Sequence, residues 1–165
     1  MNFARTLKHL MAPHWQIRRA FAETSLSAIE AAVATAEKRH GGELRFVVEG
    51  GMQWSDLWHE VSPRARAQAL FSKLRVWDTE HNSGVLIYVQ LIDRRVEILA
   101  DRGIASRVPQ AQWDALCRGM EQCFGRGYYL QGALAAVVGC GDILAQHFPV
   151  LAEKANELPD RPLVL

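Results

Sequence analysis

Gly84 to Leu91 reads GVLIYVQL, an uncharged run in which Val85, Leu86, Ile87, Tyr88, Val89 and Leu91 follow almost without interruption. A strand with one wet face alternates apolar and polar residues, whereas a continuous apolar run is buried on both faces. Any sheet containing this strand must therefore be covered by helices on both sides. Ile92-Asp93-Arg94 is short enough for a hairpin turn, and Arg95–Ala100 (RVEILA) returns as an antiparallel strand. Upstream, Glu43–Glu49 (ELRFVVE) supplies a further strand with Leu44, Phe46, Val47 and Val48 as its apolar content. Between them Ser62-Pro63 opens a helix, Ser at the N-cap and Pro at the first helical position, with Ala65, Leu70, Phe71 and Leu74 on its buried side. A strand–helix–strand unit of this kind makes a right-handed parallel crossover.

The flanking segments supply the helical layers. Ser27 and Glu30 form a capping-box pattern ahead of Ile29, Ala32, Val33 and Ala36, and Gly41-Gly42 provides the stop. Trp54 and Trp58 are four residues apart, which predicts a short helix whose shared face packs on the core, with an exposed contact surface as the alternative. Pro109–Phe124 and Tyr128–Phe148 carry two further helical patterns, the second rich in small apolar residues that allow close helix approach. The fold class is α/β: a small mixed β-sheet, built from a β-α-β crossover plus a β-hairpin, sandwiched between helical layers. We expect a basic N-terminal helical segment over residues 1–22, the α/β domain over 23–149, and a loosely attached tail over 150–165, where Pro159 and Pro162 interrupt regular structure.

Charge narrows the partners. Lys plus Arg number 19 against 18 Asp plus Glu, a net charge of +1, which argues against a nucleic-acid surface because neutralising phosphates needs a basic excess. Residues 1–22 are the exception, carrying Arg5, Lys8, Arg18 and Arg19 before the first acid at Glu23. Phe3, Leu7, Leu10 and Met11 fall there at helical spacing, so the expectation is an amphipathic helix packed on the domain, with an interfacial membrane anchor as the alternative. No continuous apolar stretch of signal-peptide type follows. Cys117, Cys123 and Cys140 lack metal-type spacing and read as buried reduced thiols of a cytoplasmic protein, with the inner membrane face as a further possible location.

Strand direction places the chemistry. If the strands at 43–49 and 84–91 are parallel, Glu49, Asp93 and Arg94 lie near one rim of the sheet. Asp78, Glu80, Asn82 and Asp101 then converge on the opposite rim, and three carboxylates with an amide oxygen suit a hard divalent cation, Ca²⁺ or Mg²⁺. An EF-hand is excluded: Ser83 stands where its loop needs Gly, and Val89 where it needs Glu. The bland reading is that Asp78 and Glu80 solvate a loop while Asp101 caps a turn. There is no GxSxG elbow, P-loop or GxGxxG after a strand, and no HxxxH or HExxH pair, so catalytic residues are not identified. His81 is read as an exposed loop histidine, and Gly139-Cys140-Gly141 as a close helix contact.

Several motifs in order resemble the TPM domain family. They are Ala36-Glu37-Lys38, Gly42 to Val48, Asp78-Thr79 ahead of Asn82-Ser83-Gly84-Val85-Leu86-Ile87-Tyr88-Val89, then Asp93-Arg94, Val96-Glu97-Ile98, Asp101-Arg102-Gly103-Ile104, and Phe124 followed by Gly127. The resemblance runs from about Ser27 to Phe148 and implies an α/β sandwich and, in some members, calcium binding and phosphatase activity. It points to the short soluble bacterial subtype, with membrane-associated protein partners. Only Asp78 and Asp101 are carried over from the family pattern; Glu80 and Asn82 come from the strand geometry. The expected function is a divalent-cation-binding interaction or assembly module. The alternatives are a weak metal-dependent acid phosphatase, in which Arg102 steadies phosphate charge, and a membrane-surface protein docking through its basic first segment.

Overall fold

The computed structural model of the protein describes residues 3–12, 15–150 and 155–165. The parts of the N-terminal segment and tail at 1–2, 13–14 and 151–154 lie outside the described residues. In chain order the elements are α1 (Phe3–Leu10), α2 (Trp15–Ala20), α3 (Glu23–Glu37), β1 (Glu43–Glu49), α4 (Trp54–Trp58), α5 (Pro63–Lys73), β2 (Gly84–Gln90), β3 (Arg95–Ala100), α6 (Arg102–Ala105), α7 (Gln110–Gly125), α8 (Tyr129–His147) and β4 (Leu163–Val164).

The sheet has the order β3-β2-β1-β4. β1 and β2 run parallel, with Glu43 beside Gly84 and Glu49 beside Gln90, while β2 and β3 run antiparallel from Val85–Ala100 to Gln90–Arg95. β1 and β2 are buried along their whole length, as the apolar run of β2 requires. Alternate residues serve two cores. Leu44, Phe46, Val48, Val85, Ile87, Val89 and Ile98 pack with Val33, Trp113, Met120, Val137 and Leu144 of α3, α7 and α8. On the other face Val47, Leu86, Tyr88 and Leu99 pack with Ala67 and Leu70 of α5. Helices thus cover both sheet faces.

Caps and packing set the starts of the helices. Ser62 caps α5 as expected, its Oγ accepting from the Ala65 N–H at 3.1 Å. The capping box at Ser27 does not form: α3 starts a turn earlier, at Glu23, after an Ala22 cap with no side-chain bond. Its buried stripe of Leu26, Ile29, Val33 and Ala36 reaches into that first turn, and packing decides the start in place of a cap. Trp54 and Trp58 do not enter the core. They are 51% and 58% exposed and lie against each other with ring centroids 5.9 Å apart, while Leu57 alone anchors the one-turn helix α4.

The segment after Pro149 is not loose where it is described. Leu163 and Val164 pair in parallel with Val47 and Val48, and the Leu165 N–H donates to the Val48 carbonyl at 2.9 Å. Buried Arg45 on β1 donates to the carbonyls of Pro159 (2.7 Å) and Arg161 (2.6 Å), and Leu158 is buried beneath. Arg161 is in turn ion-paired with Glu23 and Glu30 of α3. The edge of β1 offers unpaired backbone groups, and an extended proline-flanked segment is a fitting partner for them.

α1 also departs from expectation. Thr6 and His9 are its buried residues, while Phe3, Leu7, Leu10 and Met11 face solvent. The reason lies in the polar side. Arg5 donates to Asp93 from Nε (3.0 and 3.1 Å) and Nη2 (2.7 Å), and Nη2 also reaches the Val61 carbonyl at 3.0 Å. His9 joins them: its Nδ1 accepts from the Met52 N–H at 3.1 Å, which leaves Nε2–H to donate to Asp93 Oδ1 at 3.0 Å. Four charge-assisted contacts to Asp93, with the Arg5 bond to the Val61 carbonyl, hold the polar face down and leave the apolar face outward.

Candidate functional site

Two rims of the sheet gather ionisable residues, and their hydrogen bonding separates them. At the carboxyl ends of β1 and β2, Glu49 is buried and saturated: Arg66 donates through Nε (3.1 Å) and Nη2 (2.6 Å), and the Tyr88 hydroxyl donates at 2.6 Å. Burial, reinforced by the Glu49 charge, pushes the Tyr88 hydroxyl well above its ordinary pKa. Arg66 also pairs with Asp56 at 3.2 Å. Asp93 beside them is saturated by Arg5 and His9. Burial would raise its pKa, but the hydrogen bonds and charges of those two partners hold it well below the usual carboxylate range. Every oxygen of Glu49 and Asp93 has a donor, so these two carboxylates are tied up as structure, while Asp56 Oδ2 is buried with an ion pair to Arg66 as its one close charge contact among the described residues.

The opposite rim differs. The entrance to β2 and the exit of β3 meet there because the strands are antiparallel. The Asp101 N–H donates to the Gly84 carbonyl at 2.9 Å, and the Gly103 N–H to the Asn82 carbonyl at 3.2 Å. Asn82 takes a positive φ of 51°, which its short amide side chain tolerates, and this swings the chain into β2. Two glycines make the close approach possible. A Cβ on Gly84 would sit 1.9 Å from the Val76 carbonyl oxygen, and one on Gly103 would sit 2.6 Å and 2.9 Å from the carbonyl oxygens of Asn82 and His81. The Asn-Ser-Gly and Asp-Arg-Gly motifs are therefore two halves of one junction.

Of the four residues expected here, Asn82 and Asp101 are brought together. Asp101 caps α6, its Oδ1 accepting from the Arg102 N–H at 2.7 Å, and the Arg102 Nε donates to Asn82 Oδ1 at 3.0 Å. One oxygen of Asp101 thus serves as the expected turn cap, while Oδ2 is buried with no hydrogen-bond partner among the described residues. Asp78 is exposed and faces Arg75 at 3.8 Å. Glu80 is exposed, and its N–H donates to Glu157 Oε2 at 2.9 Å. Glu157, from the tail, and buried Glu43, which accepts from the Leu158 N–H at 3.2 Å, are acidic residues of this end that the sequence reading missed. The presence of Glu157 depends on the path of the tail, for which sequence spacing carries no signal; Glu43 opens β1 beside Gly84, a place the parallel pairing of the strands already implies. Among the described residues, no group of three or more His, Cys, Asp or Glu side chains is arranged to hold a metal ion. Oxygen donors suited to a hard cation are nonetheless at hand in Asp101 Oδ2, Asn82 and the nearby loop carbonyls.

The model of the TPM domain matches residues 18–143, which covers α3 to most of α8 and the whole Asn82–Asp101 junction. The chain belongs to the TPM domain family. Among solved structures it is similar to the NMR structure of the BA42 protein from the psychrophilic bacterium Bizionia argentinensis. That structure is 28% identical, with a TM-score of 0.76 over 87% of this chain and 94% of that one. No curated protein matches the chain. The match to the TPM domain does not extend to α1 or to the strand β4. No helix among the described residues is long and apolar enough to cross a membrane.

Proposed function

We propose that this TPM domain is a divalent-cation-binding interaction module, with Ca²⁺ or Mg²⁺ held at the rim formed by Asn82 and Asp101. The observation that supports this reading is the buried Asp101 Oδ2 with no donor among the described residues, an arrangement costly for a carboxylate unless a cation or water completes it. Asp101 would be the anchoring ligand and Asn82 a second, with Asp78 and Glu80 as outer carboxylates on the exposed side of the loop. A bound cation would neutralise the carboxylates and fix the loop that leads into β2. Arg102 competes for the same oxygens, since it already donates to Asn82 Oδ1. A partner protein, membrane-associated by family resemblance, would read the loop in its ordered form.

Calorimetric titration of the native chain with Ca²⁺ and Mg²⁺, beside Asp101→Asn, tests the reading. Asn preserves the helix cap and removes the charge, so it should abolish binding while leaving the melting curve nearly unchanged. Undiminished binding by Asp101→Asn sinks the proposal. The second reading, a weak metal-dependent phosphatase, is favoured by Arg102, a cation next to the carboxylate that could steady phosphate charge. It requires metal-stimulated hydrolysis of a phosphate monoester that Asp101→Asn and Arg102→Gln both reduce.

A further inference from the structure

The outward face of α1 has no role in the cation reading, and it stands independently of it. Phe3 and Met11 are 70% and 71% exposed, with Leu7, Leu10 and Trp15 about half exposed beside them. A lone exposed apolar side chain means nothing, but a set gathered along an amphipathic helix and the segment that follows it marks a contact surface. Its orientation is enforced, because turning the apolar side inward would break the Arg5 and His9 contacts to Asp93.

The same face opens onto a cavity of about 800 Å³ between α1, α2 and the β2–β3 turn. Leu7, Met11, Trp15 and Tyr129 give it apolar and aromatic walls, and Lys8, Arg19 and Arg94 stand around it, with no acidic residue among the described residues of its lining. That combination decides between occupants. A second copy meeting this face symmetrically would set the same three cations against each other. A surface that is apolar a few ångströms down and anionic at its rim satisfies both chemistries. Aromatic residues with one polar end suit the boundary between them.

We propose that α1, α2 and the β2–β3 turn form a docking face for an anionic lipid bilayer. Phe3, Leu7, Leu10 and Met11 enter the headgroup–acyl boundary while Lys8, Arg19 and Arg94 sit at the level of the phosphates. The cations contribute roughly five-fold each in partitioning to an anionic leaflet, and this part weakens with salt.

The test is flotation of the full chain with phosphatidylcholine vesicles and with vesicles that also contain phosphatidylglycerol. The proposal expects at least a roughly ten-fold preference for the anionic vesicles, reduced in high salt. Leu7→Glu/Met11→Glu and Lys8→Glu/Arg19→Glu, at exposed positions, should each lose the preference while melting at the temperature of the native chain. Absence of native-chain flotation, or equal flotation on both vesicle types, overturns the proposal without any variant. Concentration-dependent dimerisation that Leu7→Glu/Met11→Glu abolishes, with no flotation, assigns the face to a second copy instead.

Discussion

Removing the Asp93 charge isolates what holds α1 in its inverted orientation. Asp93→Asn keeps the side-chain shape but turns half of an acceptor set into a donor facing Arg5 and His9. Its side chain is 14% exposed, so solvent screens the pair with Arg5 only partly. Hydrogen bonds to a charged group contribute about 1.5–3 kcal/mol each, and the two partners share one carboxylate, so a total of about 3 kcal/mol is a reasonable ceiling. Most of that loss should be local, because Arg5 and His9 lie on α1 and the sheet retains its own ladder. Hydrogen exchange of the native chain and the variant reads this directly. The α1 amides and the Met52 N–H, which donates to His9, should exchange faster by up to about a hundred-fold, a difference of about 2.7 kcal/mol. The β2 amides should be unaffected. The pH dependence follows from the lowered Asp93 pKa. A carboxylate with a depressed folded pKa contributes its full stabilisation above the unfolded pKa, near 4, and loses it as pH falls through the folded value. The gap between native and variant should thus be flat from neutral pH down to about 5, begin to close below about 4, and vanish only as pH falls through the depressed folded value. Unchanged α1 exchange in Asp93→Asn, or a gap undiminished at acid pH, would refute the proposed anchor.

Two further outcomes follow from packing. Gly84→Ala places a Cβ 1.9 Å from the Val76 carbonyl oxygen, so the start of β2 must shift; urea denaturation should show a loss of about 3 kcal/mol or more, and a neutral effect would contradict the close approach. Burial pushes the Cys117 thiol up to about 12 and raises that of fully buried Cys140. Cys117 and Cys123 are half-buried, against the expectation of three buried thiols. At pH 8 a thiol reagent should therefore label Cys140 only as fast as the protein opens, and labelling of Cys140 in the native chain at the rate of a free thiol would disprove its burial.

The centre of this fold was legible because its signals are local. The unbroken apolar run of β2 demands cover on both faces, and the three-residue spacing before Arg95 demands an antiparallel return. Those two facts also bring Asn82 and Asp101 to one rim, nineteen residues apart in sequence. What escaped were arrangements decided by distant partners. The periodicity of α1 tells which side is apolar but not which side faces in; that depends on Asp93, 88 residues away from Arg5. Pro159 and Pro162 read as breakers, yet the tail is fixed by Arg45 and by the free edge of β1. Glu157 reaches the acidic rim by the same route. The Trp54–Trp58 spacing correctly placed a short helix, but five residues can bury only Leu57, and the two rings satisfy each other at the surface.

The cation reading is tested most directly by titrating Ca²⁺ into the isotopically labelled chain and following every backbone amide by NMR. The account predicts saturable shifts centred on Asn82, Ser83 and Asp101–Gly103, absent in Asp101→Asn, with the amides around Glu49 and Asp93 unmoved. No saturable shifts, or shifts centred on Glu49 and Asp93, would contradict it.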